Sequence, residues 1–164
     1  MNIEYREFAN KPERYAYLNA QLDRILGETD DLCAGLANAS ALLYLLMPKL
    51  NWAGFYLMKG GALILGPFQG KPAVARIETG AGVCGTAVAQ DAPQIVENVH
   101  TCCNHIACDA SSSSEIVVPI HARGAIFGVI DIDSPALANF DEEDLAGLRQ
   151  AADRIGKFVE KARE

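Results

Sequence analysis

The 164-residue sequence is short of basic charge: Lys and Arg total 14 against 21 Asp and Glu, for a net charge of −7. That balance excludes an extended phosphate-binding surface, which needs clustered Lys and Arg, so no nucleic-acid partner is expected. Long apolar runs are missing as well. The longest uncharged stretch, residues 32–48, is interrupted by Asn38 and Ser40. It falls short of the roughly 20 apolar residues that span a bilayer, so it reads as a buried helix and no membrane partner is expected. The opening Met1-Asn2-Ile3-Glu4-Tyr5-Arg6-Glu7 offers neither a basic n-region nor an apolar core. No secretion signal is therefore expected, and the protein is placed in the cytoplasm. There is no Walker pattern, and the glycines at 80, 82 and 85 lack the βαβ setting of a dinucleotide fingerprint. With 50% hydrophobic residues the chain is not disordered, and its length suits one domain over residues 1–164.

What is present begins with helices. Pro12 suits a helix first turn, and Tyr15, Leu18, Leu22 and Ile25 form its apolar face up to Gly27. Thr29, Asp30 and Asp31 can cap a second helix with Leu32, Leu36, Ala39, Leu43 and Leu46 facing inward, ended by Pro48. These N-terminal helices span about residues 12–47 in this reading. A hairpin follows: strands over 52–58 and 62–68 flank Gly60-Gly61. Residues 73–77 suggest another short strand, residues 83–89 a short helix, and 94–96 a further strand. Residues 97–114 carry no periodicity and form a long loop of the kind that is usually functional. The clearest strands, 115–120 and 125–133, meet near Arg123-Gly124. Asp141 and Asp144 form a capping-box pattern for a last helix, about 141–162, with Leu145, Leu148, Ala152, Ile155 and Val159 inward. Terminal helices around a run of hairpins give an α+β fold, its central sheet mostly antiparallel with helices packed on it. Sheet core and loop occupy 51–134.

Five cysteines are an odd number for a cytoplasmic chain, and thiol chemistry or metal binding is a better starting point than a disulfide framework. Cys33, early in the second helix, is expected to be buried packing. Cys84 follows Gly80-Ala81-Gly82 at a helix N-terminus, where the dipole lowers a thiol pKa. Cys102, Cys103 and Cys108 lie in the long loop with His100 and His105, which invites a zinc reading. The spacing is poor for it: adjacent cysteines do not readily both face one tetrahedral ion, so no metal is assigned. A nucleophilic or redox thiol is the better fit to that loop.

Carboxylates complete the pattern. Asp131 and Asp133 lie two apart on a strand of Val and Ile, so they share a face. Burying two acids there is costly unless they bind something or the strand end emerges into water. If the last two strands pair antiparallel, Glu115 falls opposite about position 132, level with the pair. Three carboxylates near a thiol loop can bind an amine or hold a proton for a reaction that needs acid. Trp52, with Phe55 and Tyr56, suits either core or the wall of a ligand site.

Six ordered blocks then resemble one family. These are Asn51-Trp52-Ala53-Gly54-Phe55-Tyr56, Leu65-Gly66-Pro67-Phe68-Gln69-Gly70, Gly82-Val83-Cys84-Gly85-Thr86-Ala87, His105-Ile106-Ala107-Cys108-Asp109, Ser114-Glu115-Ile116-Val117-Val118-Pro119 and Gly128-Val129-Ile130-Asp131-Ile132-Asp133-Ser134. They resemble the free methionine-(R)-sulfoxide reductases, single GAF domains, over about residues 25–160. The resemblance implies a GAF-like fold, Cys108 as attacking thiol and Cys84 as its disulfide partner. It implies that Glu115, Asp131 and Asp133 bind substrate, with Trp52 walling the methyl end and Tyr56 beside it. The substrate implied is free methionine (R)-sulfoxide, the reductant thioredoxin-like, and no cofactor is needed. A homodimer also fits the family.

One departure stands out. Many members carry a further recycling cysteine after the Gln-Gly pair, where this sequence has Val74. Resolution of the oxidised Cys108 then falls to Cys84, or to Cys102 or Cys103 as additional thiols. Two other function classes stay in view: a non-catalytic GAF small-ligand sensor, and a redox or metal-sensing thiol protein.

Overall fold

A computed structural model describes residues 3–101 and 111–163. Its first helix, α1, is Lys11–Gly27, with the Asn10 side chain accepting from the Glu13 N–H. The second, α2 (Leu32–Leu46), is capped by Asp31, whose carboxylate accepts from the Ala34 N–H. Strands β1 (Trp52–Lys59) and β2 (Ala62–Gly70) follow. They meet at Gly60-Gly61, where φ values of +58° and +82° meet the demand of a tight hairpin for two left-handed residues. Next come β3 (Arg76–Glu78), α3 (Gly82–Gln90), β4 (Gln94–Val96) and a 3-10 turn at Val99–Thr101. Strands β5 (Ser114–Ala122) and β6 (Ala125–Ser134) pair through Arg123-Gly124, and α4 (Glu142–Val159) closes the order. Asp141 and Asp144 form the expected capping box on α4.

The strands form one antiparallel sheet in the order β3-β2-β1-β6-β5-β4, so the α+β expectation holds. β3 covers 76–78, less than the 73–77 expected, and the residues before it run across the sheet edge. β5 begins at Ser114, and Glu115 stands opposite Asp133, one place from the expected 132.

Strand alternation divides the molecule. On one face Ala53, Phe55, Leu57, Ile116, Val118, Ile120, Ile130 and Ile132 join α1, α2 and α4 in the main core. On the other, Trp52, Tyr56, Leu63, Ile77, Val117 and Val129 pack with Val83, Cys84 and Ala87 of α3 in a second cluster. Among the described residues no helix is long and apolar enough to cross a membrane.

Cys33 departs from the expectation of burial: it is exposed. The buried stripe of α2 begins at Gly35 and Leu36, and Cys33 lies off it. There Cys33 borders an open apolar cleft with Met58, Pro67 and Phe127.

Candidate active site

The site lies on the sheet face under α3. Period-two alternation on β6 sends Asp131 and Asp133 to this face, while Ile130 and Ile132 enter the helical core. The register sets their neighbours. Asp133 stands between Trp52 on β1 and Glu115 on β5, and Asp131 between Gly54 and Val117. Directly opposed residues on one face have Cβ atoms about 5 Å apart, so Trp52, Asp133 and Glu115 form one row across three strands. Helix α3 packs over β5 and β6 and brings Cys84 onto the acids. At its other side α3 lies against the end of β3, where a Cβ on Gly85 would come within 2.4 Å of the Glu78 carbonyl oxygen.

All four groups are buried: Cys84 is 3% exposed, Glu115 5%, Asp131 3% and Asp133 4%. One ligand atom from each of Cys84, Glu115 and Asp131 lies within 4.8 Å of the others. Asp131 is hydrogen-bonded to both the Cys84 thiol and the Glu115 carboxyl, while its Oδ1 has no partner among the described residues. Two carboxyl groups can hydrogen-bond each other only with a proton between them. Burial raises Asp131 to about 6, against the downward pull of its bonds from Cys84 and Glu115.

Cys84 corrects the expectation drawn from its helix position. Its thiol is held well above the usual range, first by burial, then by the charges of Asp131 and Glu115, the bond to Asp131 and the charge of Asp133. A helix N-terminus contributes about half a positive charge at most, and burial beside three carboxyl groups outweighs it. Cys84 is a neutral thiol donating to a carboxylate.

The aromatic wall stands beside the acids. Trp52 stacks on Phe68 with centroids 5.2 Å apart and planes 13° from parallel, and lies 6.0 Å from Tyr56. Gly54 makes this stacking possible, because a Cβ there would sit 2.3 Å from the Phe68 Cβ and 2.8 Å from the Trp52 ring. Both polar tips are used. Trp52 Nε1 donates to the Lys71 carbonyl at 3.2 Å, and Tyr56 Oη to the Val74 carbonyl at 2.9 Å. Residues 71–75 are thereby fastened across the wall, with Ala73 and Val74 packed on the second cluster. Trp52 and Tyr56 are buried in the second cluster, so the core reading holds, and their rings lie on the same sheet face as the acids.

The long loop is anchored where it enters and leaves. The Val99 N–H donates to the Ser113 carbonyl at 2.9 Å, and the Ser113 N–H to the Ser134 carbonyl at 2.7 Å. Asn51 Nδ2 donates to Ser112 Oγ at 2.9 Å and Ser111 Oγ at 3.3 Å, while its backbone N–H donates to the Asp133 carbonyl. Sequence reasoning gave Asn51 and Lys71 no part in the site, although Asn51 opens the block that contains Trp52. Cys102, Cys103 and Cys108 lie outside the described residues.

The structure therefore gathers Cys84, Glu115, Asp131, Asp133, Trp52 and Tyr56 on one face, a set able to hold a cationic group against acids with an apolar moiety against the wall. A GAF domain model matches residues 21–159. Free methionine-R-sulfoxide reductase of Escherichia coli is 50% identical over 150 residues, covering 92% of this chain and 91% of that protein. The corresponding enzyme of Neisseria meningitidis, solved in complex with its substrate, superposes with a TM-score of 0.94 at 38% identity over 99% and 98% of the two chains. A Staphylococcus aureus fRMsr structure, also a complex with substrate, gives 0.80 at 47% identity over 90% and 94%. The chain belongs to the free methionine-R-sulfoxide reductases, a family of GAF-domain oxidoreductases.

Proposed function

We propose that this chain reduces free methionine (R)-sulfoxide to methionine, with Cys108 as nucleophile and the Cys84–Glu115–Asp131–Asp133 cluster as its binding and proton-handling site. The observation that carries the reading is the buried row of Trp52, Asp133 and Glu115 with Asp131 and Cys84 beside it. A free amino acid offers an ammonium group to the acids and a methyl sulfoxide to the aromatic wall. The names of the relatives point to the same substrate.

In this reading the Cys108 thiolate attacks the sulfoxide sulfur, and the sulfoxide oxygen takes up a proton as its bond to that sulfur breaks. Asp131 shares a proton with Glu115 across their hydrogen bond and is raised to about 6, which suits a general acid. The protonated oxygen passes to the Cys108 sulfur as the transient bond between the two sulfurs breaks, so Cys108 becomes a sulfenic acid and methionine departs. A second thiol then attacks the sulfenic sulfur, giving a disulfide and water. Cys84 suits this step because its thiol already donates to Asp131, the base that accepts the proton as the S–S bond forms. A thioredoxin-class dithiol restores both thiols by exchange.

The test is methionine release from each sulfoxide epimer, free and peptide-bound, with thioredoxin supplied. Turnover confined to the free R epimer and abolished in Cys108→Ser is expected. Binding of the sulfoxide without release of methionine would move the protein to the sensor class. Cys84→Ser should release about one methionine per chain and then stall; sustained turnover would move resolution to Cys102 or Cys103.

A further inference from the structure

The cluster under α3 has a second chemical character that the proposed reduction does not use. A thiol and two carboxyl groups offer one sulfur and two oxygen donors within 4.8 Å of one another, all in buried side chains. Three protein donors plus one open position make up the coordination of an exchangeable zinc. Around such an ion the bonds are about 2.0–2.3 Å, which sets the donors roughly 3.5 Å apart. From separations of up to 4.8 Å the three side chains draw in by as much as about 1.3 Å to reach that spacing. Asp131 supplies an independent sign: it is 3% exposed and its Oδ1 has no partner among the described residues. A buried carboxylate oxygen without a donor is costly, and a cation held by both oxygens of this carboxylate offsets that cost.

We propose that Cys84, Glu115 and Asp131 bind one zinc-class divalent cation in competition with the amino-acid substrate, so that free zinc inhibits the enzyme reversibly. Binding displaces the Cys84 thiol proton and the proton shared by the two carboxyl groups. The ion then carries one thiolate and two carboxylates, and two protons leave to solvent. No oxidant or reductant is involved. The donor set also selects the metal. Magnesium and calcium need six or more oxygens, and a thiolate favours zinc, cobalt and cadmium. A zinc seated there occupies the acids that hold the ammonium and ties up the partner thiol, so competition with substrate rests on the function proposed above.

Cobalt(II) titration of the reduced protein tests this without reference to turnover. In a Cys102→Ser, Cys103→Ser, Cys108→Ser background the other thiols of the loop are gone. One Co²⁺ per chain should bind, with a thiolate-to-cobalt charge-transfer band that zinc abolishes. Cys84→Ser should lose the band, Cys33→Ser should keep it, and Asp131→Asn and Glu115→Gln should each weaken binding by roughly tenfold or more. Absence of the band, or its survival in Cys84→Ser, overturns the site. If Cys84→Ser does not fold, the two carboxamide variants decide, and undiminished affinity in both overturns it equally. Methionine sulfoxide should raise the apparent cobalt dissociation constant. A normal band that the sulfoxide leaves unmoved overturns the competition and the functional reading together. Normal turnover in the parent chain, with no cobalt bound by it or by the triple variant, overturns the metal site alone.

Discussion

Asp131 shows how a functional side chain burdens the fold that carries it. Its pKa is about 6 in the folded chain against 3.8 in a model peptide, so the folded state holds this proton more tightly than the unfolded state. The unfolded carboxyl ionises first as pH rises, so between about pH 4 and pH 6 this group makes stability fall; above pH 6 the loss is complete. Asp131→Asn removes the burden. Its stability relative to the parent chain should grow through that window and level off above it, by on the order of 1–3 kcal/mol. Melting temperatures of both proteins at pH 5 and pH 8 measure the difference, and a gap that closes toward pH 8 would refute the assignment. The same variant should lose reductase activity at both pH values. That two acids share a face was legible from the sequence, because Asp131 and Asp133 alternate with residues of an apolar strand. The state of Cys84 was not. Its helix position pointed to a reactive thiolate, and only the three-dimensional approach of α3 to the acids reversed the sign. Cys33 failed for another reason, since it lies off the buried stripe of its helix and borders an open cleft. A thiol-specific alkylating reagent should label Cys33 in the folded protein and reach Cys84 only after unfolding, which peptide mass spectrometry resolves.

At the scale of elements, turns and caps were the best-written part of the sequence. Gly60-Gly61 and Arg123-Gly124 take positive φ at all four positions, and Asp31 and Asp141 cap the helices they precede. These features are local, so a few residues specify them. Contacts between distant segments carry no such mark. Asn51 holds Ser111 and Ser112 sixty and sixty-one residues away, and in sequence it is one more polar residue before a strand. Its amide fixes the segment that leaves the thiol loop, next to the backbone of Asp133. Asn51→Ala should therefore cost roughly 1 kcal/mol of stability for the lost bonds. It should lower kcat about tenfold, equivalent to about 1.4 kcal/mol at the transition state, while KM changes less. Stopped-flow measurement of the first turnover separates the two parameters. An unchanged first-turnover rate would leave Asn51 with a purely structural role.

For the whole molecule, the two faces of the sheet divide the labour. The face under α1, α2 and α4 is lined mainly by aliphatic residues, and the periodicity that writes it also wrote the helices, which is why the fold was readable before the site. The opposite face mixes acids, a thiol and aromatics under one short helix, where no single period dominates. Stability and activity should separate along the same plane. Leu36 is fully buried on α2, on the helical side. Leu36→Ala leaves a cavity there and should cost about 2–5 kcal/mol. For a chain of this length that lowers the melting temperature by roughly 5–15 °C. Below the transition its kcat/KM for free methionine sulfoxide should stay within about twofold of the parent, because strand alternation keeps the cavity off the site face. Trp52 is equally buried but belongs to the other face, so Trp52→Ala should lose stability and activity together. Thermal melts and initial rates on the two variants at one temperature are enough to decide. If Leu36→Ala lost activity as heavily as Trp52→Ala while still folded, the sheet would be transmitting packing strain from one face to the other.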